Sequence, residues 1–148
     1  DSLRLADKRP DWFFLIQQDS DFCALPGLIS RLDNARIMKP DYPDSEKYMQ
    51  QADVNINMSG YNTMVRLLYL GRNSIVFPLN HSEQRWNAFL LSRFSKSEVI
   101  NIKKITPALL ESKINKILVT NTLPVSNLKK RWFNGDKFSA DLIMKLCQ

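Results

Sequence analysis

The stretch Ala52-Asp53-Val54-Asn55-Ile56-Asn57-Met58-Ser59-Gly60-Tyr61-Asn62-Thr63 decides how this chain is read. Val54, Ile56 and Met58 alternate with polar residues, the pattern of a strand with one buried face. The run stops at Ser59-Gly60. After Asn62-Thr63, the residues Met64, Val65, Leu67, Leu68 and Leu70 take up helical spacing. A strand, a tight polar turn and a helix start aim unpaired backbone N–H groups and the positive helix end at one point, which suits a phosphate. Gly60 lets the backbone come close to a ligand. Ser59, Asn62 and Thr63 add hydrogen-bonding groups where Leu or Val would add none. An ordinary capped helix is built from the same residue types, so the turn alone does not separate a cap from an anion site.

The next segment supplies the missing weight. Gly71 is a natural helix stop. Ser74-Ile75-Val76-Phe77-Pro78-Leu79 reads as a short buried strand ended by proline. His81-Ser82-Glu83-Gln84-Arg85-Trp86-Asn87-Ala88 then opens a second amphipathic helix, with Ser82 as its expected N-cap. Two consecutive strand-to-helix turns in a parallel sheet both fall at the carboxyl ends of the strands, where α/β sheets bind ligands. Ser59 to Thr63 and His81 to Asn87 are therefore expected to line one crevice.

The order Ala-Asp-Val, Ser-Gly-x-x-Thr, helix, Gly, short strand ending in Pro, then Glu-Gln-x-x-Asn-Ala resembles the C-terminal half of a GT-B glycosyltransferase. The likeness is to glycosyltransferase family 28, the MurG-like enzymes and related bacterial glycosyltransferases, and is best from about Ala35 to Leu118. It implies an α/β fold, a Rossmann-like three-layer domain with a mostly parallel sheet, holding a nucleotide-diphosphate-sugar donor. By that resemblance Ser59, Gly60, Tyr61, Asn62 and Thr63 cradle the diphosphate. Gln84 and Asn87, with Glu83 and His81 beside them, face the sugar and the rest of the donor, and the loop around Tyr42 packs against the base. The implied function is donor binding for transfer of a hexosyl or N-acetylhexosaminyl group to an acceptor. The alternatives are a diverged, non-catalytic interaction module of the same fold, or a nucleotide-sugar hydrolase.

One residue departs from the family pattern. Three positions after the Thr, where an acidic residue usually binds the ribose hydroxyls, this chain has Arg66. A guanidinium has five donors and no acceptor, so it does not replace a carboxylate there. It suits an extra phosphate or another acidic group. The resemblance also implies a further strand and Gly-rich turn ahead of Ser2, and a catalytic base on an acceptor-binding domain. The 148 residues thus read as one nucleotide-sugar-binding domain of a larger two-domain protein, active only with an acceptor domain or partner chain.

Composition fits a single domain with a core. Hydrophobic residues make up 44% and charged residues 24%, ordinary for a globular chain. No run approaches the roughly 18 apolar residues of a membrane span. The two cysteines, Cys23 and Cys147, have no metal-ligand spacing and read as buried thiols of a reducing, cytoplasmic compartment. With one histidine, His81, neither a metal site nor a Ser-His-Asp triad is expected. No cofactor is expected beyond UDP-sugar, or another nucleotide-sugar, as substrate.

Residues 1–100 balance 12 basic against 12 acidic side chains, so the net +6 lies in 101–148. Lys103-Lys104, Lys113, Lys116 and Lys129-Lys130-Arg131 are the clusters. Such a surface suits an anionic membrane face, at roughly 1 kcal/mol per cation near the lipid, and equally a solvated face. No nucleic-acid-binding motif accompanies it.

The remaining elements are read as helix over Ser2 to Lys8, a buried strand over Trp12 to Ile16, helix over Leu25 to Leu32 and strand over Ala35 to Met38. Helix is expected again over Ser45 to Gln51. In the helix Ser82 to Phe94, Trp86, Phe89, Leu90 and Phe94 are expected to face the core. A strand over Val99 to Ile102 follows, then a helix opened by Thr106 as cap and Pro107 in its first position, with an apolar stripe through Leu118. A connector over Asn121 to Asn127, a turn at Asn134-Gly135 and a last helix over Phe138 to Leu146 complete the chain.

Overall fold

The computed structural model describes residues 2–17, 29–38, 45–95 and 97–119. Tyr42, the first half of the expected helix over Leu25 to Leu32, and everything expected beyond residue 119 lie outside the described residues. In chain order the elements are α1 (Ser2–Lys8), β1 (Phe14–Gln17), β2 (Ala35–Met38) and α2 (Ser45–Gln51). They continue with β3 (Asn55–Asn57), α3 (Tyr61–Leu70), β4 (Ser74–Val76), α4 (Ser82–Phe94) and β5 (Glu98–Val99). A 3₁₀ turn (Ile102–Lys104) and α5 (Pro107–Val119) follow. All strand pairings are parallel. β1 pairs with β2, and β4 lies between β3 and β5 in a second, three-stranded sheet.

Successive residues of a strand face opposite sides of the sheet, and β4 shows this directly. Ile75 joins Leu5 of α1, Leu110, Ile114 and Ile117 of α5, and Ile100, with Phe14, Val54 and Ile56 packed on the cluster. Val76 joins Met64 and Leu67 of α3 and Ala88 and Leu91 of α4. Helices therefore cover both faces of the three-stranded sheet, giving the three layers of the expected Rossmann-like fold. Leu5, Leu67 and Leu91 are fully buried, each worth about 1.5–3 kcal/mol of transfer free energy.

Local signals set the element ends. Gly71 closes α3 in the left-handed conformation at φ 64°, where its N–H and that of Arg72 reach the carbonyls of Leu68 and Leu67. Thr106 Oγ1 accepts the N–H of Leu109 at 3.2 Å, capping α5 ahead of Pro107. Polar side chains close the joints. Ser74, Ser95 and Ser97 form a buried hydroxyl chain with Oγ–Oγ distances of 2.9 and 2.6 Å. It ties the start of β4 to the segment after α4. Asn34 Nδ2 lies 2.9 Å from each of the carbonyls of Ala6, Arg9 and Trp12, and so fixes the exit of α1 against β2.

Several expectations are corrected. Trp86, Phe89 and Phe94 do not face the core; they are 61%, 52% and 44% exposed. The buried stripe of α4 is Asn87, Ala88 and Leu91, because small or hydrogen-bonding side chains let this helix sit close to α3 and β5. Leu90 does pack on the core. Ser82 is the first helical residue, and extended His81 takes the N-cap position with no side-chain cap bond. The strand expected over Trp12 to Ile16 is β1 at Phe14–Gln17, with Phe13 exposed. β3 ends at Asn57, so Met58 falls beyond the strand and is exposed, while Val54 and Ile56 are half-buried against the core. The expected strand over Val99 to Ile102 is only Glu98–Val99, and the chain then coils into the 3₁₀ turn, where Asn101 Oδ1 accepts the Lys103 N–H.

Candidate functional site

The sequence Asn57-Met58-Ser59-Gly60 carries the chain from β3 into α3. Ser59 adopts φ 58°, the one non-glycine residue with positive φ among those described. For an L-residue that conformation costs roughly 1–2 kcal/mol. Four contacts hold it. Asn57 Oδ1 accepts the Ser59 N–H at 2.8 Å, an Asx turn. The Ser59 hydroxyl lies 2.6 Å from the Met58 carbonyl and 2.8 Å from the Gln84 carbonyl, which share its one proton. Asn87 Nδ2 donates to the Ser59 carbonyl at 3.0 Å. Gln84 Oε1 in turn accepts the Leu79 N–H at 2.8 Å.

These bonds lock the β3–α3 turn to the β4–α4 turn. Ser59 is wholly buried and Asn87 nearly so, and the polar groups named here are engaged inside the protein. The asparagine that shapes the turn, Asn57, was not among the residues singled out from the sequence. Its signal was an Asn two residues ahead of the turn Ser, the spacing of an Asx turn. Its Nδ2 is buried with no hydrogen-bond partner; the Ser59 N–H fixes which end of the amide faces the turn.

What the lock leaves open is as informative. Gly60, the N-cap of α3, has φ −59° and ψ 148°, and no side chain caps the helix. Its first intrahelical bond is the Met64 N–H to the Gly60 carbonyl. The N–H groups of Tyr61, Asn62 and Thr63 thus open the helix without a side-chain acceptor. α4 starts the same way behind His81. Each helix end carries about half a positive charge, and the two lie together at the carboxyl ends of neighbouring parallel strands. Gly60's dihedrals suit any residue, and a Cβ there would meet nothing within 4 Å. Nothing in the chain itself demands glycine, whereas a ligand approaching the backbone would.

Around this mouth, Tyr61, Asn62, His81 and Glu83 are exposed and Thr63 is half-buried. Arg66 is exposed one turn along α3, on the side of Asn62 and Thr63. Among the described residues no three His, Cys, Asp or Glu side chains gather as a metal site. A cleft of about 430 Å³ between Asp7, Phe13, Arg31 and Asp33 lies at the amino ends of β1 and β2, away from where such sheets bind ligands.

The basic clusters are partly neutralised. Lys113 and Lys116 both pair with Glu98, at 2.7 and 2.6 Å, and hold its carboxyl below the usual range. Lys103 and Lys104 are exposed, and residues 129–131 lie outside the described residues.

A three-layer parallel α/β domain with two open helix ends at adjacent strand termini defines a class, the Rossmann-like α/β domains. The family is more specific: residues 18–144 match the glycosyltransferase family 28 C-terminal domain, and the chain belongs to that family. Solved structures that share this chain's fold include two glycosyltransferases. One is the glycotransferase of kitacinnamycin, with TM-score 0.68 and 21% identity over 79% of this chain and 29% of that one. The other is MurG of Acinetobacter baumannii, with TM-score 0.58 and 21% identity over 77% of this chain and 35% of that one. This chain therefore spans about a third of the length of each. No curated protein matches its sequence significantly.

Proposed function

We propose that the mouth between α3 and α4 binds the diphosphate of a nucleotide-sugar, with UDP the first nucleotide to test. The observation that carries this reading is the pair of open helix N-termini, locked side by side by Ser59, Gln84 and Asn87. The N–H groups of Tyr61, Asn62 and Thr63 would hold the phosphates, and the Thr63 hydroxyl would add a donor. His81 and Glu83 would flank the sugar. Charge developing on the departing diphosphate would meet preorganised dipoles, a form of electrostatic stabilisation that needs no rearrangement. Ser59 and Asn87 serve by holding the turn. Transfer of a hexosyl or N-acetylhexosaminyl group would require an acceptor-binding domain or partner chain. We place the protein in the cytoplasm, peripheral on the inner face of a membrane. No described helix is long and apolar enough to cross one.

Arg66 favours a second reading, a drifted or changed site, because it stands exposed beside the mouth where the family carries an acid. Calorimetric titration with UDP, UDP-N-acetylglucosamine, GDP and CDP, repeated on Thr63→Ala and Arg66→Glu, tests both. One nucleotide that binds, more weakly to Thr63→Ala, supports the donor site. Tighter binding by Arg66→Glu marks drift from a ribose-binding acid. No binding by any variant contradicts the first reading.

A further inference from the structure

The exposed aromatics of α4 have an order of their own. Trp86 stacks on Phe89, ring centroids 5.3 Å apart, and both project from the side of α4 opposite the buried Ala88 and Leu91. Arg85, Phe89 and Arg93 recur at every fourth position and so form one row along the helix. The surface continues past Arg85 into a cleft of about 430 Å³ lined by Pro78, Leu79, Val99, Ile102 and Lys103. Val99 and Ile102 are exposed there. Arg85 bonds the Asn80 side chain. Among the described residues, none of Arg85, Arg93 and Lys103 has a carboxylate partner.

Scattered exposed apolar side chains need no explanation. A stacked ring pair set within a row of unpaired cations is a different pattern. Trp and Phe carry broad apolar surface suited to the headgroup level of a bilayer, and arginines with no internal counter-charge suit lipid phosphates. We propose that the outer face of α4 docks on an anionic lipid surface. Trp86 and Phe89 enter the headgroup layer, and Arg85, Arg93 and Lys103 meet its phosphates. This rests on the peripheral location proposed above and adds which face makes the contact. It also sets the mouth at the start of α4 beside the lipid, where a lipid-carried acceptor would lie.

The test is sedimentation of the 148-residue chain with phosphatidylcholine vesicles, with and without phosphatidylglycerol. Trp86→Ser/Phe89→Ser and Arg85→Gln/Arg93→Gln are run beside it, and Trp86 emission is followed against bromolipids in a Trp12→Phe/Trp132→Phe background. All four substituted α4 side chains are exposed, so circular dichroism and Tm should match the parent. The expected result is binding to anionic vesicles only, weaker by about tenfold in each double variant, with Trp86 quenched. No binding to anionic vesicles by the parent chain would overturn both the peripheral location and this docking face. Binding that survives Trp86→Ser/Phe89→Ser, with Trp86 unquenched, would overturn the face alone and leave lysine-driven attachment standing.

Discussion

Two polar regions of this domain differ in what they leave unpaired. At the junction of α1 and α5, Arg9 pairs with Asp11 at 2.6 Å and Glu111 at 2.8 Å and lies 4.0 Å from the centre of the Trp12 ring. Each charge there meets a counter-charge or a ring face, and Arg9 holds the Asp11 carboxyl below its ordinary range. At the α3–α4 mouth the side chains of Ser59, Gln84 and Asn87 are equally engaged. Behind that closed framework, two helix ends and the exposed Arg66 and His81 have no side-chain counterpart among the described residues. Closed networks hold a fold together. An open, preorganised one beside a closed framework is built to receive something from outside.

The comparison can be broken first at Asn87. Asn87→Ala leaves the Ser59 carbonyl buried without its donor and opens space beside Leu91. A loss of about 2–3 kcal/mol is expected, seen as a lower urea midpoint with unchanged slope. Ser59→Ala removes the hydroxyl contacts but keeps the left-handed strain, for a loss of about 1–2 kcal/mol. Ser59→Gly relieves that strain and should lie closer to the parent in the same assay. If Ser59→Gly is the less stable of the two, the turn is not held as described.

The charged joint of Glu98 sharpens the contrast by pH. Lys113 and Lys116 lower its pKa in the folded state. Its contribution is therefore present above the unfolded carboxylate value, about 4.3, and is lost as pH falls through the lower folded value. Glu98→Gln should cost about 1 kcal/mol near neutral pH, with the gap to the parent closing in acid. A gap that stays constant down to strong acid would contradict the pairing.

Much of the fold is legible locally. Helical period and end signals give Ser45–Gln51 and Ser82–Phe94, and the Thr106-Pro107 and Gly71 boundaries follow from capping chemistry. The misreadings share a cause, which is dependence on distant partners. The left-handed conformation of Ser59 goes unread, because Gln84 and Asn87, 25 and 28 residues away, grip it. Trp86 and Phe89 have the spacing of a core stripe, yet α4 packs through Asn87, Ala88 and Leu91. Lys113 and Lys116 read as free charge until Glu98 is brought beneath them.

The central claim is that the open end of α3 receives a diphosphate, and Gly60→Val tests it most directly. The dihedrals of Gly60 suit valine, and the Cβ position is clear of other atoms. Stability should therefore fall by no more than about 1 kcal/mol, the cost of valine in place of glycine at an N-cap, while the side chain projects where the phosphates would lie. Calorimetry with UDP should then show at least about a tenfold loss of affinity, equivalent to 1.4 kcal/mol, in a protein that unfolds like the parent. Unchanged UDP affinity in a folded Gly60→Val variant would contradict the claim.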